Sequence, residues 1–292
     1  MKRFVAIGER VPRQISGAVT SIHTQVINIL IDDGLFLSLV ASPVDMTARA
    51  LLLERGELPG GVAPGDPVTG DINAINIEGT PPLHRYAAKP WSGALRGAEA
   101  RISHDELWDR VRAVRDLLLR EQSEIGVVGA LGDAGGSLFV RSLRRKCRRG
   151  EYGGLIGLGQ GFTPSGDDFL SGMALFLALH DATERGPGGD DRFSSFKTRS
   201  LRIALSRLKG RTRGTTHGGA TLLALTLSES FPAYQLHVAD RLLEPYSPAR
   251  PESGPFEPGE LVTFAGRHGE SSGLDMLTGL IWASDTCLVR PV

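Results

Sequence analysis

Two cysteines, Cys147 and Cys287, are all this sequence offers, too few for a disulfide framework or a cysteine-rich zinc site. Net charge of one sign is also missing. The 33 Lys and Arg balance the 33 Asp and Glu, so no global field favours nucleic acid or an acidic membrane. No apolar run is long enough to span a bilayer. The longest, 169–179, is interrupted by Ser171 and Gly172. The first twelve residues, MKRFVAIGERVP, reach Glu9 and Arg10 too soon for a signal peptide, which points to the cytoplasm. No G-x-G-x-x-G occurs, because Gly157 and Gly159 are followed by Phe162, and Gly159 and Gly161 by Pro164. No Walker lysine follows these glycines, which excludes a P-loop. Neither a Ser-His-Asp nor a Cys-His signature is present.

What is present is a real apolar fraction, 41% of the residues, with frequent glycine and proline marking turns. The length fits one large domain or two ordinary ones. The first third reads as β structure. Residues 19–31 and 35–40 are strand formers separated by the hairpin turn Asp32-Asp33-Gly34. Residues 46–55 read as a short helix ended by Gly56, and Val68 and 72–77 as further strands. The expectation is an α+β protein: a small β-rich domain (barrel or sandwich) over 1–95, then a mainly helical domain over 96–292.

The helical part opens at Ser103, which forms a capping box with Glu106. Leu107, Val111, Val114 and Leu118 follow on one face. A glycine-rich turn, 129–136, leads to 138–149, which carries Arg141, Arg144, Arg145, Lys146, Arg148 and Arg149. Cations at a helix end suit its dipole, so this reads as a solvated face rather than a nucleic-acid surface. Residues 183–194 and 245–258 read as loops, and 201–208 as a short helix.

The stretch 157–172, GLGQGFTPSGDDFLSG, carries the chemistry. Glycines at 157, 159 and 161 let a backbone turn sharply and approach a ligand. Pro164 suits a first helical turn, and Thr163 or Ser165 can cap it. Backbone amides from Gly159 and Gly161 to Gly166 then form an anion site at the positive end of a helix dipole. The two aspartates, Asp167 and Asp168, would repel an anion. Two resolutions stand open: magnesium held by the pair, or a ligand whose carbamoyl NH2 they accept.

SGDDFLSG, from Ser165, is echoed by SGLDMLTG, from Ser272, 107 positions later. Glycine inside a helix costs about 1 kcal/mol against alanine and marks close packing. Gly172 and Gly279 therefore predict two central helices in close approach, with their N-termini at one pocket. The plainer alternative makes Ser165, Ser272, Asp168 and Asp275 helix caps alone. A third cluster, Arg213, Thr215, Thr216 and His217, precedes another apolar helix. Arg213 suits carboxylate or phosphate recognition, and Thr216 suits capping.

GLGQGFTPSGDDFLSG closely resembles the signature GLGxGxTPSGDDxLxG of the AllH-like family, with Gln160 where proline is common. SSGLDMLTG resembles that family's second signature, and the Thr215-Thr216 stretch sits where a third lies. The resemblance implies a subunit of oxamate carbamoyltransferase, acting in allantoin breakdown, where oxalurate and phosphate give oxamate and carbamoyl phosphate. It implies partner subunits and a small ligand with carboxylate, carbamoyl and phosphate groups; the balanced charge and short apolar runs argue against nucleic acid and membrane. On this reading Asp167, Asp168 and His217 are the catalytic candidates. Gly159, Gly161, Thr163, Ser165, Gly166, Arg213, Thr215, Thr216, Ser271, Ser272 and Asp275 are the substrate-binding ones. Two alternatives remain: a non-catalytic anion- or nucleotide-binding subunit, and magnesium-dependent phosphoryl transfer.

Overall fold

The computed structural model describes residues 3–95, 102–121, 124–132, 136–184, 196–211, 213–245 and 256–287. The chain is α+β and divides into two compact units. One comprises residues 1–94 with 230–236, the other 95–229 with 237–292.

The first unit is one curled nine-stranded sheet, a half-barrel rather than a sandwich. Its strands are β1 (Phe4–Gly8), β2 (Ile15–Ile22), β3 (Val26–Ile31), β4 (Phe36–Val40), β5 (Ala50–Leu53), β6 (Pro67–Gly70), β7 (Ala74–Ile77), β8 (Leu83–His84) and β9 (Lys89–Trp91), in the order β8-β7-β6-β2-β3-β4-β5-β1-β9. A bridge between Arg3 and His84 brings the β8 edge back to the start of β1. Ile27, Ile29, Leu37, Leu39, Leu51, Val68 and Ile75 fill the concave core. The hairpin turn at Asp32-Asp33-Gly34 forms as expected. Arg49, itself buried, locks it by donating to both Asp33 oxygens (3.0 and 2.8 Å) and to the Phe36 carbonyl (2.9 Å).

Two sequence expectations fail in this unit. Residues 19–31 are not one strand: His23-Thr24-Gln25 turns the chain between β2 and β3, with the His23 amide donating to the Val26 carbonyl (2.8 Å). Residues 46–55 are not a helix: 50–53 form β5, paired in parallel with β4 and antiparallel with β1. Leu51 is completely buried there, and ladder pairing on both edges overrides the helix preference of the Ala-Leu-Leu-Leu run.

The helical unit contains α1 (His104–Glu121), α2 (Leu138–Arg148), α3 (Ser165–Glu184), α4 (Phe196–Ser206), α5 (His217–Thr226), α7 (Pro258–Gly266) and α8 (Ser272–Cys287), while α6 (Ala233–Leu243) runs from the first unit into it. The capping box is half made. Ser103 accepts from the Glu106 amide (3.2 Å), but the Glu106 carboxylate turns instead to Arg110 (2.6 Å). Arg144, grouped with the solvated cations of α2, is buried and donates to the carbonyls of Gly129 and Ala130. The glycine-rich turn begins as a short 3-10 turn, Val128–Leu131; 133–135 lie outside the described residues. So do 185–195 and 246–255, which hold most of the two expected long loops, and α3 itself continues to Glu184.

The core of this unit is α3 against α8. A Cβ on Gly172 would lie 1.8 Å from the Met276 carbonyl oxygen, and one on Gly279 would lie 1.8 Å from that of Phe169. Phe169 and Met276 are equivalent positions of the repeated octapeptide, so the two copies pack on each other by a local pseudo-twofold exchange.

Candidate functional site

The exchange extends to the polar groups at the two helix starts. The Ser272 hydroxyl, at the start of α8, hydrogen-bonds to Asp168 of α3, and the Ser165 hydroxyl, at the start of α3, to Asp275 of α8. Each copy's serine thus serves the other copy's acid. The Thr163 and Ser272 hydroxyls meet at 3.0 Å, which closes the ring of contacts.

Asp275 and Asp167, which are not equivalent positions of the repeat, are nonetheless supported alike, each by one backbone amide and one hydroxyl. Asp275 accepts from the Val127 amide (2.7 Å) and the Ser271 hydroxyl (2.8 Å). Asp167 accepts from the Gly157 amide (2.9 Å) and the Thr215 hydroxyl. The carboxylate of Asp275 lies against Gly126 and that of Asp167 against Gly219, where a Cβ would come within 2.1 Å of an acid oxygen in either case. Gly126 and Val127 carried no signal in the sequence beyond a glycine-rich neighbourhood.

All three acids are essentially inaccessible to solvent: Asp167 and Asp275 are 0% exposed and Asp168 is 1%. Burial raises the pKa of each, because a low-dielectric surrounding penalises the charged form. Thr215 and the Gly157 amide pull Asp167 partly back, and Val127, Ser165 and Ser271 do the same for Asp275. Asp168 is held well above the ordinary carboxylate range by burial, against its bonds to Ser272 and Thr163 and with the neighbouring Asp275 and Asp167 adding repulsion. Its Oδ2 is buried without a hydrogen-bond partner among the described residues.

The loop before α3 follows the same logic of close approach. Gly157 (φ 70°), Gly159 (φ 117°) and Gly161 (φ 102°) all occupy the left-handed region that glycine tolerates. At Gly157 a Cβ would also strike the Gly214 carbonyl oxygen at 1.9 Å, so this glycine seats the loop on the segment before α5. Thr216 caps α5 by accepting from the Gly219 amide (3.0 Å) and donates its proton to the Phe162 carbonyl (2.5 Å).

At the start of α3 the amides of Gly166, Asp167 and Asp168 donate to the carbonyls of Leu158 and Pro164. Gly159 and Gly161 are exposed ahead of them. Thr163, Ser165, Ser271 and Ser272 are half-buried between this loop and the acids. Arg213 is exposed and no side-chain partner binds it among the described residues; His217, the first residue of α5, is exposed too. Thr163, Ser165, Thr215, Ser271, Ser272 and the three acids therefore converge in one hydrogen-bonded cluster.

The acid pair offers magnesium little. Both oxygens of Asp167 accept hydrogen bonds, and burial favours the neutral form of Asp168. Burial also shifts two nucleophilic or basic groups of this unit. His268 is pushed down to about 4, and the Cys147 thiol up to about 12.

The family model described as oxamate carbamoyltransferase subunit AllH matches residues 155–284, the span that holds both octapeptides and the Thr215-Thr216 segment. The resemblance carried by those motifs is to this same family. No curated protein and no solved structure matches the chain. Among the described residues, no helix is long and apolar enough to cross a membrane.

Proposed function

We propose that the chain is a subunit of a carbamoyltransferase-type enzyme whose substrate site lies over the starts of α3, α5 and α8. The ligand is a small molecule with carbamoyl and carboxylate groups, handled together with phosphate, as oxalurate or oxamate would be. The observation that carries this reading is Asp168: a buried carboxyl favouring its neutral form, with one oxygen unpartnered, beneath the Thr163–Ser272 contact.

A neutral acid removes the conflict between an anionic ligand and paired aspartates. It donates a hydrogen bond to a carbonyl or phosphate oxygen, or accepts one from a carbamoyl NH2, without charge repulsion. The Gly159–Thr163 loop offers backbone amides at the positive end of α3, where a phosphate or developing oxyanion is stabilised. Arg213 and His217 flank the Thr215-Thr216 segment in sequence as exposed groups able to reach such a ligand. Asp167 and Asp275 act by positioning: they anchor the segments before α3 and α5 and the segment ending at Val127. Phosphate attack on a carbamoyl carbon releases an amide nitrogen that must be protonated, a task suited to a carboxyl that burial holds well above the ordinary carboxylate range. Other subunits complete the assembly, as the matched family's description of a subunit suggests.

Calorimetry of the wild-type chain with phosphate, oxamate and carbamoyl phosphate tests the reading. Saturable binding of at least one, weakened tenfold or more in Asp168→Asn and Gly161→Val, is the expected result. No binding by wild type, or equal binding by both variants, overturns it.

A further inference from the structure

The last turn of α3 holds a cluster that the site at its first turn does not use, about 20 Å away along the axis. His180 is 2% exposed, yet among the described residues no group lies within hydrogen-bond distance of its Nδ1. The Oε1 of Glu184 is buried and equally without a hydrogen-bond partner among them. Leaving a buried polar atom unsatisfied costs about 1–3 kcal/mol, and here two such atoms face each other.

Their separation is informative. Nδ1 of His180 lies 3.6 Å from Oε1 of Glu184 and 3.9 Å from Oδ1 of Asp181. These distances are too long for hydrogen bonds. Two ligands of one tetrahedral ion, each about 2.0–2.2 Å from it, stand about 3.4 Å apart. The three donor atoms all fall within 4.8 Å of one another. The spacing of four residues puts His180 and Glu184 on one helix face.

The surroundings favour a cation. The turn lies at the C-terminal, negative end of the α3 dipole. Arg202 of α4 grips Asp181 with both Nη atoms, fixing that carboxylate and leaving the two-acid cluster one net negative charge. From α1, the His104 ring packs edge-on to His180 with centroids 4.7 Å apart. The His104 Nδ1 is tied to Thr183 Oγ1 (3.0 Å). The side chains of Asp181 and Glu184 are 20% and 30% exposed, which leaves a way in.

We infer that His180 and Glu184, with Asp181 beside them, form a site for a divalent transition metal of the zinc class on the last turn of α3. One imidazole with carboxylates suits zinc(II) or cobalt(II), whereas magnesium and calcium favour oxygen donors alone. The role is structural, and it is independent of the proposed substrate site.

The full chain, stripped with a chelator and dialysed, should bind one zinc(II) ion in calorimetry and melt at a higher temperature with it. Cobalt(II) should give the visible absorption of a tetrahedral site, and magnesium should not compete. Glu184→Gln, which removes a half-exposed group and keeps its shape, should weaken zinc at least tenfold with unchanged circular dichroism, as should His180→Gln. No saturable zinc binding, equal magnesium binding, or zinc retained at full affinity by both variants overturns the assignment.

Discussion

Gly172 faces the carbonyl oxygen of Met276 so closely that a Cβ would lie 1.8 Å from it, and Gly279 stands in the same relation to Phe169. The helices α3 and α8 can take their observed separation only because both positions lack a side chain. Overpacking a core costs about 1–3 kcal/mol and more when backbone must move. Gly172→Ala should therefore cost about 3 kcal/mol or more in urea unfolding. Gly259→Ala, whose Cβ would meet nothing nearer than a Leu117 methyl at 4.0 Å, should instead stabilise α7 by about 0.5–1 kcal/mol. Equal effects from the two substitutions would contradict the close approach of the helices.

Asp168 predicts a pH dependence of stability. Its pKa is raised by burial, so the folded protein keeps the proton after the unfolded chain has lost it at about pH 4. Its contribution is then fully present below that pH and declines as pH rises toward the folded value. The decline is at most about 1.4 kcal/mol per pH unit for one proton. Asp168→Asn has no proton to lose. Urea midpoints at pH 5, 6 and 7 should show the variant gaining on wild type as pH rises; parallel profiles would refute the assignment.

Thr216 has two partners, the Gly219 amide and the Phe162 carbonyl. Thr216→Ala should cost about 1 kcal/mol through the lost cap, and Thr216→Ser should restore most of it. If the bond to Phe162 also holds the ligand loop, the alanine variant should lose phosphate affinity in calorimetry by more than the serine variant does.

Both cysteines are buried and their thiols titrate high, Cys147 at about 12. The thiolate is the reactive form, so a disulfide reagent at pH 8 should label neither in the native protein and both after unfolding. Rapid native labelling at either position would show that the helical unit opens there.

Some of this was legible in the sequence because the relevant forces are local. The Asp32-Asp33-Gly34 turn, the Thr216 cap and the glycines of α3 and α8 announce themselves through backbone requirements that few residues meet. The β5 segment misled because Ala-Leu-Leu-Leu prefers a helix in isolation, and only pairing with β1 and β4 makes it a strand. The turn at His23-Thr24-Gln25 has neither glycine nor proline to mark it. At the site, the repeated octapeptide suggested two helix starts in one place. That each serine bonds the other copy's aspartate depends on how α3 and α8 cross, which no local pattern encodes. The cluster at His180 was hidden for the opposite reason: it follows the longest apolar run, 169–179, and its meaning lies in two buried atoms without a hydrogen-bond partner among the described residues.

The exchange between α3 and α8 also sets a schedule for synthesis. The two octapeptides are 107 positions apart, so at about 5–20 residues per second α3 waits roughly 5–20 s for its partner to be made. Throughout that interval a helix buried on nearly every face, with its acids not yet supplied with hydroxyls, has nothing native to pack against along its glycine side. Slow translation between the two copies lengthens that exposure, and growth conditions that do so should raise the demand for chaperones and the fraction of the chain lost to aggregation.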